Sequence, residues 1–297
     1  MSTRAESSPV VQVTPTLLRG WPLPGGGSGK DDRGSVLVVG GARKTPGAAL
    51  LAGVAALRSG AGRLTLAVAE STAVQLAVAF PESGVVGLPE TARGSVKGSG
   101  ASLLADEVGA ADAILIGPGL DDKDETLALL RGLLLPGRSR PKRGPAVVLD
   151  AYALGCLPEL AGELKPWAGR LILTPNVTEA GILLGHDVED LKRDVPKIAE
   201  AYQAVVSCQG IIAAPGGDSW EITTGHSGLG TSGSGDVLAG AIAGLRARGA
   251  TDEQAACWGS HLHAAAGDRL ASRLGGLGYL ARELCDELPA LMVELSS

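Results

Sequence analysis

The chain has 297 residues, 45% of them hydrophobic and 20% charged, which supplies enough apolar side chain for a sizeable core and excludes disorder as the main state. Its 26 Lys and Arg against 32 Asp and Glu leave a net charge of −6 spread along the sequence, which argues against a nucleic-acid or membrane-surface binder and towards small-molecule chemistry. With 44 Gly against 1 Phe, 4 Trp and 3 Tyr, the core is expected to be built from Ala, Val, Leu and Ile around many tight turns, which suits helices packed on a sheet.

Residues 1–33 carry two Pro-rich patches and the run Gly25-Gly26-Gly27-Ser28-Gly29, and read as a flexible N-terminal arm. From 34 to 297 nothing resembles an interdomain linker, which predicts one domain. Residues 35–39 read as a strand, 46–59 as a helix and 63–69 as a strand. The alternation returns with a strand at 113–116, a helix at 125–135 and a strand at 146–150. Further strands are predicted at 171–174, 204–207 and 211–214, and helices at 236–248, 252–274 and 277–295. Short apolar strands separated by helices predict an α/β fold, a mostly parallel central sheet with helices on both faces. Such sheets bind ligands at the carboxyl ends of their strands.

Cys156, Cys208, Cys257 and Cys285 form no CxxC pair and read as buried thiols in a reducing compartment. No leader pattern opens the chain, and no run approaches the roughly 18 to 20 apolar residues of a membrane span, so a cytoplasmic protein is expected.

The strongest chemical signal is Thr231-Ser232-Gly233-Ser234-Gly235-Asp236, followed directly by a helical pattern. Glycines before a helix let backbone N–H groups converge, and the helix N-terminus adds partial positive charge, so the segment forms an anion pocket suited to phosphate. An Asp at its mouth acts as a base, holds a metal-bound water or caps the helix. The segment lacks the Lys-Ser/Thr of a P-loop and lies too late in the chain for a dinucleotide fingerprint. Gly117-Pro118-Gly119-Leu120 follows a strand where a backbone approaches a ligand or turns sharply. Val147-Val148-Leu149-Asp150 delivers a carboxylate to the sheet edge. Asn176 and Glu179 stand three apart after Leu173-Thr174-Pro175, a spacing that serves either a hydrated Mg²⁺ or a helix capping box. His261 and His263, two apart on a helix, face different directions and make a poor metal pair. His226 sits in the Gly-rich loop.

Together and in order, these segments resemble the ADP/ATP-dependent NAD(P)H-hydrate dehydratase family of the ribokinase-like superfamily. The resemblance rests on Val38-Val39-Gly40-Gly41 through Pro46-Gly47-Ala48-Ala49, Arg58-Ser59-Gly60-Ala61-Gly62, Ile116-Gly117-Pro118-Gly119, Leu149-Asp150-Ala151, Leu173-Thr174-Pro175 with Glu179, and Gly233-Ser234-Gly235-Asp236. It covers roughly residues 34 to 295 and implies a three-layer ribokinase-like fold. The implied activity is repair of hydrated NADH and NADPH. A nucleotide, ADP or ATP and typically ADP, activates the ring hydroxyl, and phosphate then leaves. By motif matching, the resemblance gives Ala48, Gly119, Asn176 and Asp236 to the hydrated cofactor, with Asp236 as general base. It gives Ser207, Gly210, Gly233, Ser234 and Gly235 to the nucleotide, with Asn176 and Glu179 ordering water around Mg²⁺. A cytoplasmic homo-oligomer, commonly a tetramer, is also implied. The chain departs from the family at Asn176 (usually His), at Tyr152 (usually Asp) and at Val206-Ser207, read as replacing a Lys-Gly pair. Asn176-Val177-Thr178-Glu179 also matches the Asn-x-x-Glu element of ribokinase-like sugar and vitamin kinases, so a small-molecule kinase is the alternative.

Overall fold

A computed structural model describes residues 9–134 and 144–296. In chain order the elements are β1 (Val11–Gln12), α1 (Pro15–Gly20), β2 (Ser35–Val39), α2 (Pro46–Arg58), β3 (Arg63–Ala69), α3 (Glu70–Ala79), β4 (Gly84–Leu88), α4 (Ala105–Ala110), β5 (Ala113–Ile116), α5 (Lys123–Leu134) and β6 (Ala146–Leu149). They continue with α6 (Leu157–Leu160), β7 (Leu171–Leu173), α7 (Val177–Leu184), α8 (Leu191–Tyr202), β8 (Val205–Cys208), β9 (Ile211–Ala213), β10 (Ser219–Glu221), α9 (Ser234–Ala247), α10 (Asp252–Leu274) and α11 (Ala281–Ser296).

The strands form one ten-stranded sheet in the order β1-β10-β9-β8-β7-β6-β5-β2-β3-β4. From β8 through β7, β6, β5, β2 and β3 to β4 every pairing is parallel. Strands such as Ala-Ile-Leu-Ile in β5 and Ala-Val-Val-Leu in β6 are buried along their whole length, as expected of a sheet covered on both faces. Alternate residues feed two cores. Val38, Leu115 and Val148 pack with α2, α9, α10 and α11 on one face, and Val39, Ile116 and Leu149 pack with α5, α7 and α8 on the other. The result is the predicted three-layer arrangement.

The departure from parallel pairing is local. Gln209 and Gly210 both take positive φ, 47° and 84°, and join β8 to an antiparallel β9 as a two-residue hairpin. The N-terminal segment departs from the expected flexible arm. From residue 9 it is anchored: β1 pairs with β10, Leu18 is fully buried, and the rings of Trp21 and Trp220 stack at 6.3 Å. Trp258 Nε1 and Gln254 Nε2 donate to the Trp21 carbonyl, tying the segment to α10. Its apolar residues, Leu18 and Trp21, outweigh the entropy of the glycines that follow. Residues 1–8 of that arm, residue 135 at the end of a predicted helix and residue 297 lie outside the described residues.

Candidate active site

The order of strands reverses between β2 and β5, and there the loops that follow the two strands meet. Gly41 N donates to Pro118 O at 2.8 Å, Ala42 N to Gly119 O at 2.8 Å, and Thr45 Oγ1 to Gly119 O at 2.8 Å. A Cβ on Gly40 would collide with the Pro118 carbonyl. The Gly-Pro-Gly segment is thus needed first for the approach of two backbones at the switch point, the usual ligand position in such sheets. A Cβ added to Gly119 would also touch Ala48, so these two residues adjoin.

Helix α9 starts beside this point. Gly233 is its N-cap at φ 88°, Ser234 its first residue, and Asp236 its third, so Asp236 is not the cap. The helix lies against α2 at backbone distance, because Gly240 faces the Ala52 carbonyl and Gly244 the Ala56 carbonyl with no room for a Cβ. Continued one turn towards both N-termini, that register leads to Ala48 on α2 and Asp236 on α9. Burial pushes the Asp236 carboxyl up to about 6.

On the other side of the α9 N-terminus lies a cavity of about 720 Å³. Asn176, Ser207, Gly210, Ser234 and Gly235 line it, so five of the residues singled out from the sequence converge on one space. Gln209, His226, Ser260 and His263 add to its polar lining. The positions read as replacing Lys-Gly lie in β8 beside this cavity. Val206 is fully buried inside β8 and Ser207 Oγ is bound to Ser260 Oγ, and the turn that faces the cavity is Gln209-Gly210. The two-residue spacing between apolar runs 204–207 and 211–214 held that signal. Tyr152 is exposed on the turn after β6.

Asn176 and Glu179 form a reciprocal capping box on α7: Glu179 N donates to Asn176 Oδ1 at 3.0 Å and Asn176 N donates to Glu179 Oε2 at 2.9 Å. Among the described residues no three His, Cys, Asp or Glu side chains converge to hold a metal. The helix start accounts for the hydrogen bonds these two side chains make within the chain.

Sequence reasoning gave Asp150 no role. It is buried at the end of β6 and accepts from Thr174 Oγ1 at 2.7 Å. Burial, then the nearby charges of Asp236 and Glu179, push its carboxyl up to about 7. The next residue, Ala151, is held at φ 50°, an unusual conformation for a side chain other than Gly, Asn or Asp. Asp150 thus lies at the sheet edge within electrostatic reach of Asp236 and Glu179, near a helix N-terminus and an amide-rich turn. Such a site can accept a proton at one end and stabilise a transferring anion at the other.

A family model described as NAD(P)H-hydrate dehydratase matches residues 36–290. An ADP-dependent (S)-NAD(P)H-hydrate dehydratase of Xanthomonas campestris is 43% identical over 95% of this chain and 96% of its own length. The chain spans about half the length of several further relatives, which are named bifunctional NAD(P)H-hydrate repair enzymes. The crystal structure of a Bacillus subtilis ADP/ATP-dependent NAD(P)H-hydrate dehydratase, co-crystallized with ATP/Mg²⁺, matches at TM-score 0.76 and 28% identity, covering 96% of this chain and 99% of that one. A ribokinase-like superfamily protein of Enterococcus faecalis shares the fold at TM-score 0.80 and 24% identity, over 97% of this chain and 96% of that one. Matched by the family model over most of its length and by a relative at 43% identity almost end to end, the chain belongs to the NAD(P)H-hydrate dehydratase family.

Proposed function

We propose that this protein dehydrates hydrated NADH and NADPH in a nucleotide-dependent reaction, with ADP giving AMP and phosphate. The observation that carries the reading is Asp236, half-buried at the start of α9 on the helix that packs at backbone distance against α2, with the anion-favouring turn Gly233-Ser234-Gly235 beside it.

Asp236 takes the proton of the ring hydroxyl as that oxygen attacks the terminal phosphorus of the nucleotide. The N–H groups at the start of α9 face the charge that develops on the transferred group. Phosphate then departs with the former hydroxyl oxygen, a ring C–H proton is lost, and the dihydronicotinamide double bond is restored. Ala48 and Gly119 flank the ring, and Asn176 reaches it from the β7 edge. Ser207, Gly210, Gly233, Ser234 and Gly235 form the nucleotide side, Ser207 through its position at the strand end because its hydroxyl is held by Ser260. Mg²⁺ enters with the nucleotide, where it would neutralise phosphate charge. The similarity to dehydratases along the whole chain favours this activity over a sugar or vitamin kinase.

Among the described residues no helix is long and apolar enough to cross a membrane, and all four cysteines are free and buried. A cytoplasmic location is proposed with this activity, since free thiols suit a reducing compartment. A homo-oligomer, with a tetramer as the proposed state, rests on the family resemblance.

The test is to supply hydrated NADH or NADPH, Mg²⁺ and either ADP or ATP, and to follow the return of dihydronicotinamide absorbance. Nucleotide-dependent recovery is expected, faster with ADP. No recovery with either nucleotide, from folded protein, would sink the reading.

A further inference from the structure

Helix α10 presents two buried polar side chains one turn apart, Ser260 and His263, to the same cavity. Each is bonded to a different wall. Ser260 Oγ and Ser207 Oγ lie 2.8 Å apart, joining α10 to the end of β8. His263 Nε2 lies 2.8 Å from Ser234 Oγ, joining α10 to the first residue of α9. The strand end and the helix start are held to a common third element, so α10 sets the width of the opening between them.

Burial pushes the His263 ring down to about 4, so it is neutral at physiological pH and has a single N–H to donate. A neutral imidazole meets a serine hydroxyl in one of two ways. With Nε2 as acceptor, the Ser234 proton points at the ring and away from the cavity. With the N–H on Nε2, Ser234 Oγ accepts it and the hydroxyl proton is left for another partner. Ser234 lines the cavity beside Gly235 at a helix N-terminus, where an anion is favoured, so the second arrangement supplies that anion with a further donor.

We propose that His263 is a positioning residue of the nucleotide site: its Nε2–H donates to Ser234 Oγ and turns the Ser234 hydroxyl proton towards a phosphate oxygen. His263 acts through Ser234 and makes no contact of its own with the reacting atoms. The inference rests on the nucleotide-dependent reading above and deepens it by naming what orients the phosphate donor.

The experiment measures ADP binding by calorimetry, and melting temperature, for the wild type, Ser234→Ala, His263→Leu, His263→Gln and the Ser234→Ala/His263→Leu double variant. Loss of a hydrogen bond to a charged group weakens binding by about 10- to 100-fold. That loss is expected for Ser234→Ala and His263→Leu. The double variant should bind no more weakly than the poorer single variant, because both remove the same interaction. His263→Gln, which keeps an N–H donor at that reach, should recover most of the affinity. Equal weakening in Gln and Leu variants that melt like the wild type would overturn the donor role. If the Leu variant does not fold, Ser234→Ala decides, and wild-type affinity there overturns the proposal. A wild type that binds no ADP would instead remove the nucleotide reading, and this inference with it.

Discussion

Thr174 donates its hydroxyl to Asp150 across a buried 2.7 Å hydrogen bond that ties the ends of β6 and β7 together. The bond favours the ionised carboxyl, yet burial and the charges of Asp236 and Glu179 outweigh it and hold Asp150 at about 7. The consequence for stability has a definite sign. Below about pH 4 folded and unfolded chains both hold the proton, and the group is silent. Between about pH 4 and 7 the folded chain alone keeps it, so unfolding releases a proton and rising pH favours unfolding. Stability linked to Asp150 is therefore present at low pH and lost as pH rises through 7, by an amount on the order of a few kcal/mol. Asp150→Asn, which removes the titration, should gain stability relative to the wild type across that window in denaturant titrations. Curves that stay parallel from pH 4 to 8 would contradict the assignment.

Asp236 carries the proposed proton transfer, and its raised carboxyl fixes where activity fails. Because the base must be ionised, kcat should fall as pH drops through about 6. Asp236→Asn should lower turnover by on the order of 10² to 10⁴ while ADP still binds. Unchanged turnover would exclude Asp236 as the base.

Much of this geometry was legible in the sequence, for identifiable reasons. Runs such as Ala-Ile-Leu-Ile and Ala-Val-Val-Leu announce two-sided burial, and helix 252–274 begins and ends where its pattern does. Residues 176, 207, 210, 234 and 235, given to the site by the family resemblance, line one cavity. What escaped depends on contacts distant in sequence. Trp21 is ordered by Trp220 and Trp258, about 200 residues away, so composition alone read its segment as mobile. Asp150 looked like any strand-end carboxylate because burial and neighbouring charge, not its local motif, set its protonation. His263 draws no role from its sequence beyond making a poor metal pair with His261, because its partner is a serine 29 residues earlier.

The capping box separates structure from metal chemistry at Asn176. Loss of an N-cap side chain costs about 1 kcal/mol, so Asn176→Ala should lower stability by that amount while leaving the Mg²⁺ concentration for half-maximal activity unchanged. Glu179→Gln, which can keep the box, should cost less. A large rise in the Mg²⁺ requirement for either variant, at wild-type stability, would establish the metal-shell role instead.

The N-terminal segment should behave as part of the fold. A chain starting at Gly34 would expose the Trp220 face and leave Trp258 Nε1 and the Gln254 amide without the carbonyls of Trp21 and Pro22. Buried donors left unpaired cost about 1–3 kcal/mol each. The truncated protein should therefore melt well below the full chain, and an unchanged melting temperature would restore the mobile-arm reading.

Two glycines on α9, five residues apart, should respond oppositely to alanine. A Cβ at Gly240 would strike the backbone of Ala52, which cannot rotate away, so Gly240→Ala must push α9 off α2. Overpacking of this kind costs about 1–3 kcal/mol. It should also reduce kcat in the protein that remains folded, because the two helices in this crossing carry Ala48 and Asp236. Gly235 has nothing within 4 Å of its Cβ position and borders the cavity. Alanine there should leave stability unchanged or raise it by up to about 1 kcal/mol through helix propensity. Its methyl group would enter the space assigned to phosphate, so ADP affinity should drop. Melting curves and ADP titrations on the two variants separate a residue that positions the site from one that forms its surface. Loss of stability at Gly235, or retained ADP affinity there, would place the nucleotide elsewhere in the cavity.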